Sequence, residues 1–233
     1  MNNLKDLEGK YLDIESRAEE VLSSCLSEAL SRARKIVISN GALYNVSPYE
    51  IERAGFKKGK VLKKIPVHIK NTHLYHLDEY DKVIFVEIYG QSENIINKEF
   101  YRYSGECIER ICFASSGKLR NVSTSLLEEG AVVKSMNWGQ YGCSESNYVY
   151  VDSRLEKIHV RQKEHVESVF SDFDVNFKYE SGELVSIINV FPKDAPINLS
   201  CSRGKLQFSR HLQRHWTHLA HGRLGSGVAG ILA

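Results

Sequence analysis

The sequence predicts an α+β fold: a long N-terminal helix packed on an antiparallel β-meander of hairpins. Three observations carry this. Apolar residues recur at steps of three and four between residues 4 and 37. From about residue 61 the patterning changes to alternation, the period of a strand. Between the alternating runs, short turn signals of glycine or small polar residues recur. The 233 residues suffice for one buried core. We read residues 1–208 as a single domain, with a helical part at 1–55, an antiparallel sheet at 61–208 interrupted by one helix, and a tail at 209–233.

The N-terminal helix rests on Leu4, Leu7, Tyr11, Ile14, Ala18, Val21 and Cys25, with Leu22, Leu26, Ala29 and Ala33 widening the stripe. Such spacing stacks apolar side chains along one face. Glu8, Asp13, Glu15, Arg17, Glu19, Glu20 and Arg32 fill the water-facing positions. Gly9 weakens the first turns, and Asn40-Gly41 supplies a stop. "SPYEIERAG" at 47–55 reads as a short helix: Ser47 caps it, Pro48 opens it, Glu50 completes a capping box and Gly55 ends it. "FKKGKVLKK" follows as a basic loop.

Beyond it, "KVLKKI" and "VHIK" are compatible with strands on either side of Pro66. "DKVIFVEIYG" at 81–90 is the strongest strand. Val83, Phe85, Glu87 and Tyr89 share one face and Ile84, Val86 and Ile88 the other, which predicts a central strand buried on both sides. "FYRYSGECIERICF" at 100–113 and "FKYESGELVSIINVF" at 177–191 repeat one phrase: aromatics, Ser-Gly-Glu, an apolar return. Ser116-Gly117-Lys118, Asp152-Ser153-Arg154 and Arg203-Gly204-Lys205 fit the same pattern. Tight hairpin turns need positive φ, which these residues supply. Val166, Val169 and Phe170 predict the one inserted helix, at about 162–171.

No run of 18 apolar residues occurs, and the N-terminus lacks the apolar centre of a signal peptide. A cytoplasmic location and no membrane partner are therefore expected. Five cysteines without a CxxC pair argue against a disulfide framework and a structural zinc site. The net charge of +2 conceals an asymmetry: the last 39 residues hold five basic residues and no acid, leaving the body net negative by three. His211, His215, His218 and His221 recur in that basic tail at helical steps, with no carboxylate nearby to orient them.

Signatures of phosphate loops, dinucleotide sites, zincins and nucleophile elbows are absent. No catalytic residue, cofactor or metal is expected. "THLYH", followed by Asp78, Glu79 and Asp81, offers His73, His76 and Asp78 as an alternative acid–base group, for an enzyme acting on a small molecule or nucleotide. Lys57, Lys58, Lys60, Lys63, Lys64 and the tail offer a second alternative, a nucleic-acid-binding module, although nucleic acid is not the partner expected. "NWGQYGCSES" at 137–146 combines glycines with exposed-type aromatics, a composition suited to partner contact.

The N-terminal helix followed by Tyr-rich hairpins such as "FYRYSGECIERICF", with no catalytic motif, resembles the immunity proteins of bacterial polymorphic toxin systems of the contact-dependent inhibition and Rhs types. The resemblance covers residues 1–200; the basic tail departs from it. It implies a non-enzymatic antitoxin that occludes the active site of a cognate protein toxin. From the residues themselves, Asp78, Glu79, Asp81, Trp138, Tyr141 and Glu145 are the candidate partner-binding groups: acids to steer a basic partner, aromatics to anchor it.

Overall fold

A computed structural model describes residues 3–167, 169–192, 197–202 and 205–206. The tail at 209–233, with its four histidines, and the Arg203-Gly204 turn lie outside the described residues. The chain opens with α1 (Leu4–Ser16) and α2 (Ala18–Arg32), and a single helical turn, α3 (Glu50–Arg53), follows β1 (Lys35–Asn40). The remaining strands are β2 (Lys60–Leu62), β3 (Thr72–Leu77), β4 (Val83–Tyr89), β5 (Ile95–Ser104), β6 (Cys107–Ala114) and β7 (Leu119–Glu128). After them come β8 (Ala131–Gly139), β9 (Gly142–Val151), β10 (Arg154–Glu164), β11 (Ser171–Glu180), β12 (Glu183–Val190), β13 (Ile197–Ser202) and β14 (Lys205–Leu206).

All fourteen strands form one antiparallel sheet, in which β3 to β14 lie in sequence order. The exception is at one end, where β1 sits between β3 and the edge strand β2. The molecule is thus mainly β, with its helices at the N-terminal end. Residues of the hairpin turns adopt the backbone that the sequence requires of them. Asp152 and Ser153 have φ of 49° and 62°, and Ser181 and Gly182 have 51° and 87°. Two successive positive values define the turn whose twist matches its flanking strands.

The helices cover one face of β4–β8. Leu7, Tyr11, Ile14, Cys25 and Ala29 pack against Phe85, Phe100, Ile111, Phe113, Leu119, Val122 and Met136. The opposite face holds two further clusters. Tyr75, Leu77, Val83, Val86 and Tyr101 gather against Val37, Leu43 and Val46. Ile158, Val160, Phe173, Val175 and Phe177 gather with Tyr49 against them. Tyr49 lies 5.2 Å from the Phe177 ring on β11, while its neighbour Glu50 accepts a 2.8 Å hydrogen bond from Arg110 on β6. In a flat sheet five strand spacings would separate β6 from β11 by roughly 24 Å. The two contacts are accommodated by a sheet that curls around this segment. β4 is buried on both faces as the sequence predicts, with Phe85 on the helix side and Val86 on the other; the irregularity opposite His76–Leu77 puts Val83 with Val86, not with Phe85 as the alternation suggests.

Three expectations are corrected. The N-terminal helix does not run to 37. It breaks at Arg17, which caps α1 at φ −126° and opens α2. It ends at Arg32, and Ile36-Val37-Ile38, a β-branched run, pairs as a strand with β3. α1 nevertheless runs straight through Gly9. "VHIK" at 67–70 is not a strand; the neighbouring "THLYHL" forms β3 instead. The helix at 162–171 does not form. β10 continues pairing with β9 as far as Glu164, opposite Gly142. A side chain at Gly142 would collide with the Lys163 carbonyl, so glycine admits this close approach. Val166 and Val169 are 90% and 70% exposed and bury no helical face.

Candidate binding surface

The acidic group at 78–81 forms the turn between β3 and β4. Asp78 is buried, and its carboxylate accepts from the amides of Tyr80 at 2.9 Å and Lys82 at 3.0 Å. Its other oxygen lies 3.6 Å from Arg32 at the end of α2. Asp78 therefore builds the turn, and only Glu79 and Asp81 present themselves to solvent. Asp81 is engaged by Lys35 at 2.9 Å.

Trp138, Tyr141 and Glu145 flank the β8–β9 turn, a tight hairpin connection rather than a long recognition loop. Trp138 packs beside the helix-side core and lies 5.1 Å from the His165 ring. Tyr141 is 52% exposed at the tip. Glu145 pairs with Lys134 at 2.7 Å. In an up-and-down ladder, the β3–β4 and β8–β9 turns lie at opposite ends of the strands. The six candidates thus form two separate groups.

The alternative acid–base group is also separated. His73 and His76 lie three apart on a strand and point to opposite faces. His76 is buried against Phe85, and its Nε2 meets Glu87 rather than Asp78, at 3.0 Å. That hydrogen bond holds the Glu87 carboxyl below its ordinary range, although burial opposes the effect. The thiols of Cys25, Cys112 and Cys143 are buried, and burial pushes each upward in pKa, away from the reactive thiolate. Among the described residues, no group of three or more His, Cys, Asp or Glu side chains is placed to hold a metal ion.

The helices leave the same face of β9–β11 uncovered, and here polar side chains line up across the strands. On β11, buried Phe173, Val175 and Phe177 alternate with Asp172, Asp174 and Asn176 on this face. Arg161 of β10 stands opposite Glu145 on one side and Asp172 on the other. His159 stands opposite Asn147 and Asp174. Asp174 is shared: His159 Nδ1 lies 2.6 Å from one oxygen and Lys157 Nζ 3.3 Å from the other. Arg161 turns aside over the Phe170 ring, 4.3 Å from its centre. Asp172 is exposed. These groups surround a shallow depression of about 300 Å³.

Of this surface only Glu145 is among the candidates that stand out in the sequence. Asp172, Asp174, His159 and Arg161 were legible as the polar partners in "LEKIHVRQKE" and "SDFDVNFKYE", two alternating runs. The three apolar residues at 166–170 suggested helical spacing over the stretch that joins these runs.

No protein-family model matches the chain, and no curated protein matches it. Among solved structures it is similar to a porin-like protein from Bacteroides vulgatus ATCC 8482, at 10% identity and a TM-score of 0.41. That similarity covers 71% of this chain and 95% of the other.

Proposed function

We propose that the chain is a non-enzymatic protein-binding protein, acting as an immunity protein that occludes the active site of a cognate toxin, and that it docks through the outer face of β9–β11. One observation carries the reading: a rigid, uncovered sheet face whose charged side chains stand in cross-strand rows, Glu145–Arg161–Asp172 and Asn147–His159–Asp174. Strand registry fixes such groups relative to one another before any partner arrives, which lowers the ordering cost of binding. Charged rows of this kind confer orientation and association rate more than raw affinity. The buried, cation-paired or turn-forming state of Asp78, His76 and the thiols supports a structural role for these groups over a reactive one.

The experiment is rescue of growth. Neighbouring genes are screened for a product that arrests growth, that product is expressed with and without the chain, and 1:1 binding is measured at low and high salt. Rescue, with affinity falling as salt rises, is the expected result. Arg161→Glu with Asp172→Lys weakens binding at least about tenfold while the melting temperature holds, because both side chains are exposed and surface substitutions change stability little. Failure of the wild-type chain to rescue growth overturns the assignment. Rescue that is indifferent to the double reversal moves docking to another surface.

A further inference from the structure

The loop that follows α3 is tied down at both ends and apolar along its middle. Gly59 donates to the Ala42 carbonyl, and Gly41 donates to the Asn71 carbonyl at 2.7 Å. The Asn40 side chain donates to the carbonyl of Lys70 at 3.2 Å. Residues 59–71 thus start and end beside Asn40–Ala42, running out along β1 as the edge strand β2 and returning as a surface loop. A Cβ on Gly59 would fall inside the Gly41 carbonyl, so the tie requires glycine there.

Two properties coincide on this loop and its approach. Residues 56–70 contain six lysines, no arginine and no acid. Among the described residues, Lys57, Lys58, Lys60, Lys63 and Lys64 make no ion pair, and all five are exposed. Interleaved with them are large apolar side chains open to water: Phe56 at 50%, Val61 at 64%, Ile65 at 48% and Val67 at 92%. Lysines alone on an edge strand would read as protection against aggregation. Exposed aliphatic side chains undo that protection, so their presence among the lysines calls for a surface that takes both.

We infer that residues 56–70 form a contact site for the surface of an anionic lipid bilayer. Lysine suits that surface: its flexible aliphatic stem lies along apolar groups while its ammonium reaches the headgroups. Each lysine held near an anionic leaflet adds attraction that salt screens. Val61, Ile65 and Val67 enter the headgroup–acyl boundary, where aliphatic side chains gain from leaving water. A single-stranded nucleic acid would favour stacking aromatics and arginine instead, and residues 56–70 hold one Phe, no Tyr or Trp, and no arginine. This inference replaces the expectation of no membrane partner, and it concerns a surface distinct from the β9–β11 face.

The test is co-sedimentation of the full chain with vesicles of phosphatidylcholine alone and of phosphatidylcholine mixed with phosphatidylglycerol. Two variants accompany it, one with Lys63→Glu and Lys64→Glu, the other with Ile65→Ser and Val67→Ser. All four positions are exposed, so unchanged melting temperatures confirm that the fold is retained. The wild type is expected to bind only the anionic vesicles, less at high salt. The charge variant loses at least about tenfold in affinity, and the serine variant several-fold at unchanged net charge. Absence of vesicle binding overturns the inference. So does binding equal in all three proteins, which assigns it to another basic segment. Loss in the charge variant alone, accompanied by an equal loss of binding to a DNA duplex, also overturns it in favour of nucleic acid.

Discussion

Glu87 and Glu50 meet their partners across the fold rather than along the chain. His76 holds Glu87 in its ionised form. Burial alone would raise the Glu50 carboxyl, but the Arg110 guanidinium more than offsets this and holds it low. A carboxyl depressed in the folded state contributes stability above its unfolded value, near 4.5. That contribution is lost as pH falls through the folded value. Urea unfolding should therefore show a fall in stability from pH 7 to about pH 3.5. Glu87→Gln is expected to cost about 1–2 kcal/mol at pH 7 and to flatten the fall. An unchanged pH slope in that variant would sink the assignment. Neither pairing was legible in the sequence. Glu87 lies 11 residues from His76 and Arg110 lies 60 from Glu50, and only hairpin registry or the curl of the sheet brings them together. The nearer Asp78 looked the better partner for His76, yet two backbone amides claim it.

The elements divide according to how local their causes are. The hairpins at Ser104-Gly105, Ser116-Gly117, Asp152-Ser153 and Ser181-Gly182 were readable because a tight turn is set by the few residues inside it. α1 was readable from its stripe, and Gly55, at φ 80°, ends α3 as its chemistry suggests. β1 was hidden because Ile36, Val37 and Ile38 continue a helical stripe as well as they begin a strand. Only the edges offered by β2 and β3 decide between them. The same ambiguity produced the expected helix at 162–171, where β10 again continues as a strand. Gly9 belongs at this scale too. It lies inside α1, exposed, with open space where a Cβ would stand. Gly9→Ala should stabilise the protein by about 0.5–1 kcal/mol, since alanine loses less backbone freedom on folding. Thermal unfolding measures it, and a destabilised variant would show that α1 is not helical there.

Across the whole molecule, stability should be graded rather than uniform. β4–β8 carry helices on one face, and Phe85, Ile111, Phe113 and Val122 are almost fully buried beneath them. β2 is a three-residue edge with Val61 exposed. Native-state amide exchange should accordingly be slowest in β5–β7 and fastest in β2, with β9–β11 between. Uniform exchange would argue against a core concentrated under the helices. From β4 onward each strand is hydrogen-bonded only to the strands beside it in the chain. A chain so built can lengthen or shorten by whole hairpins: removing two consecutive strands leaves every survivor pointing the same way, with its inward side still inward. The near-identical phrases at 100–113 and 177–191 sit in two such units, and that modularity makes the number of rungs an adjustable quantity while the helix-capped segment stays in place.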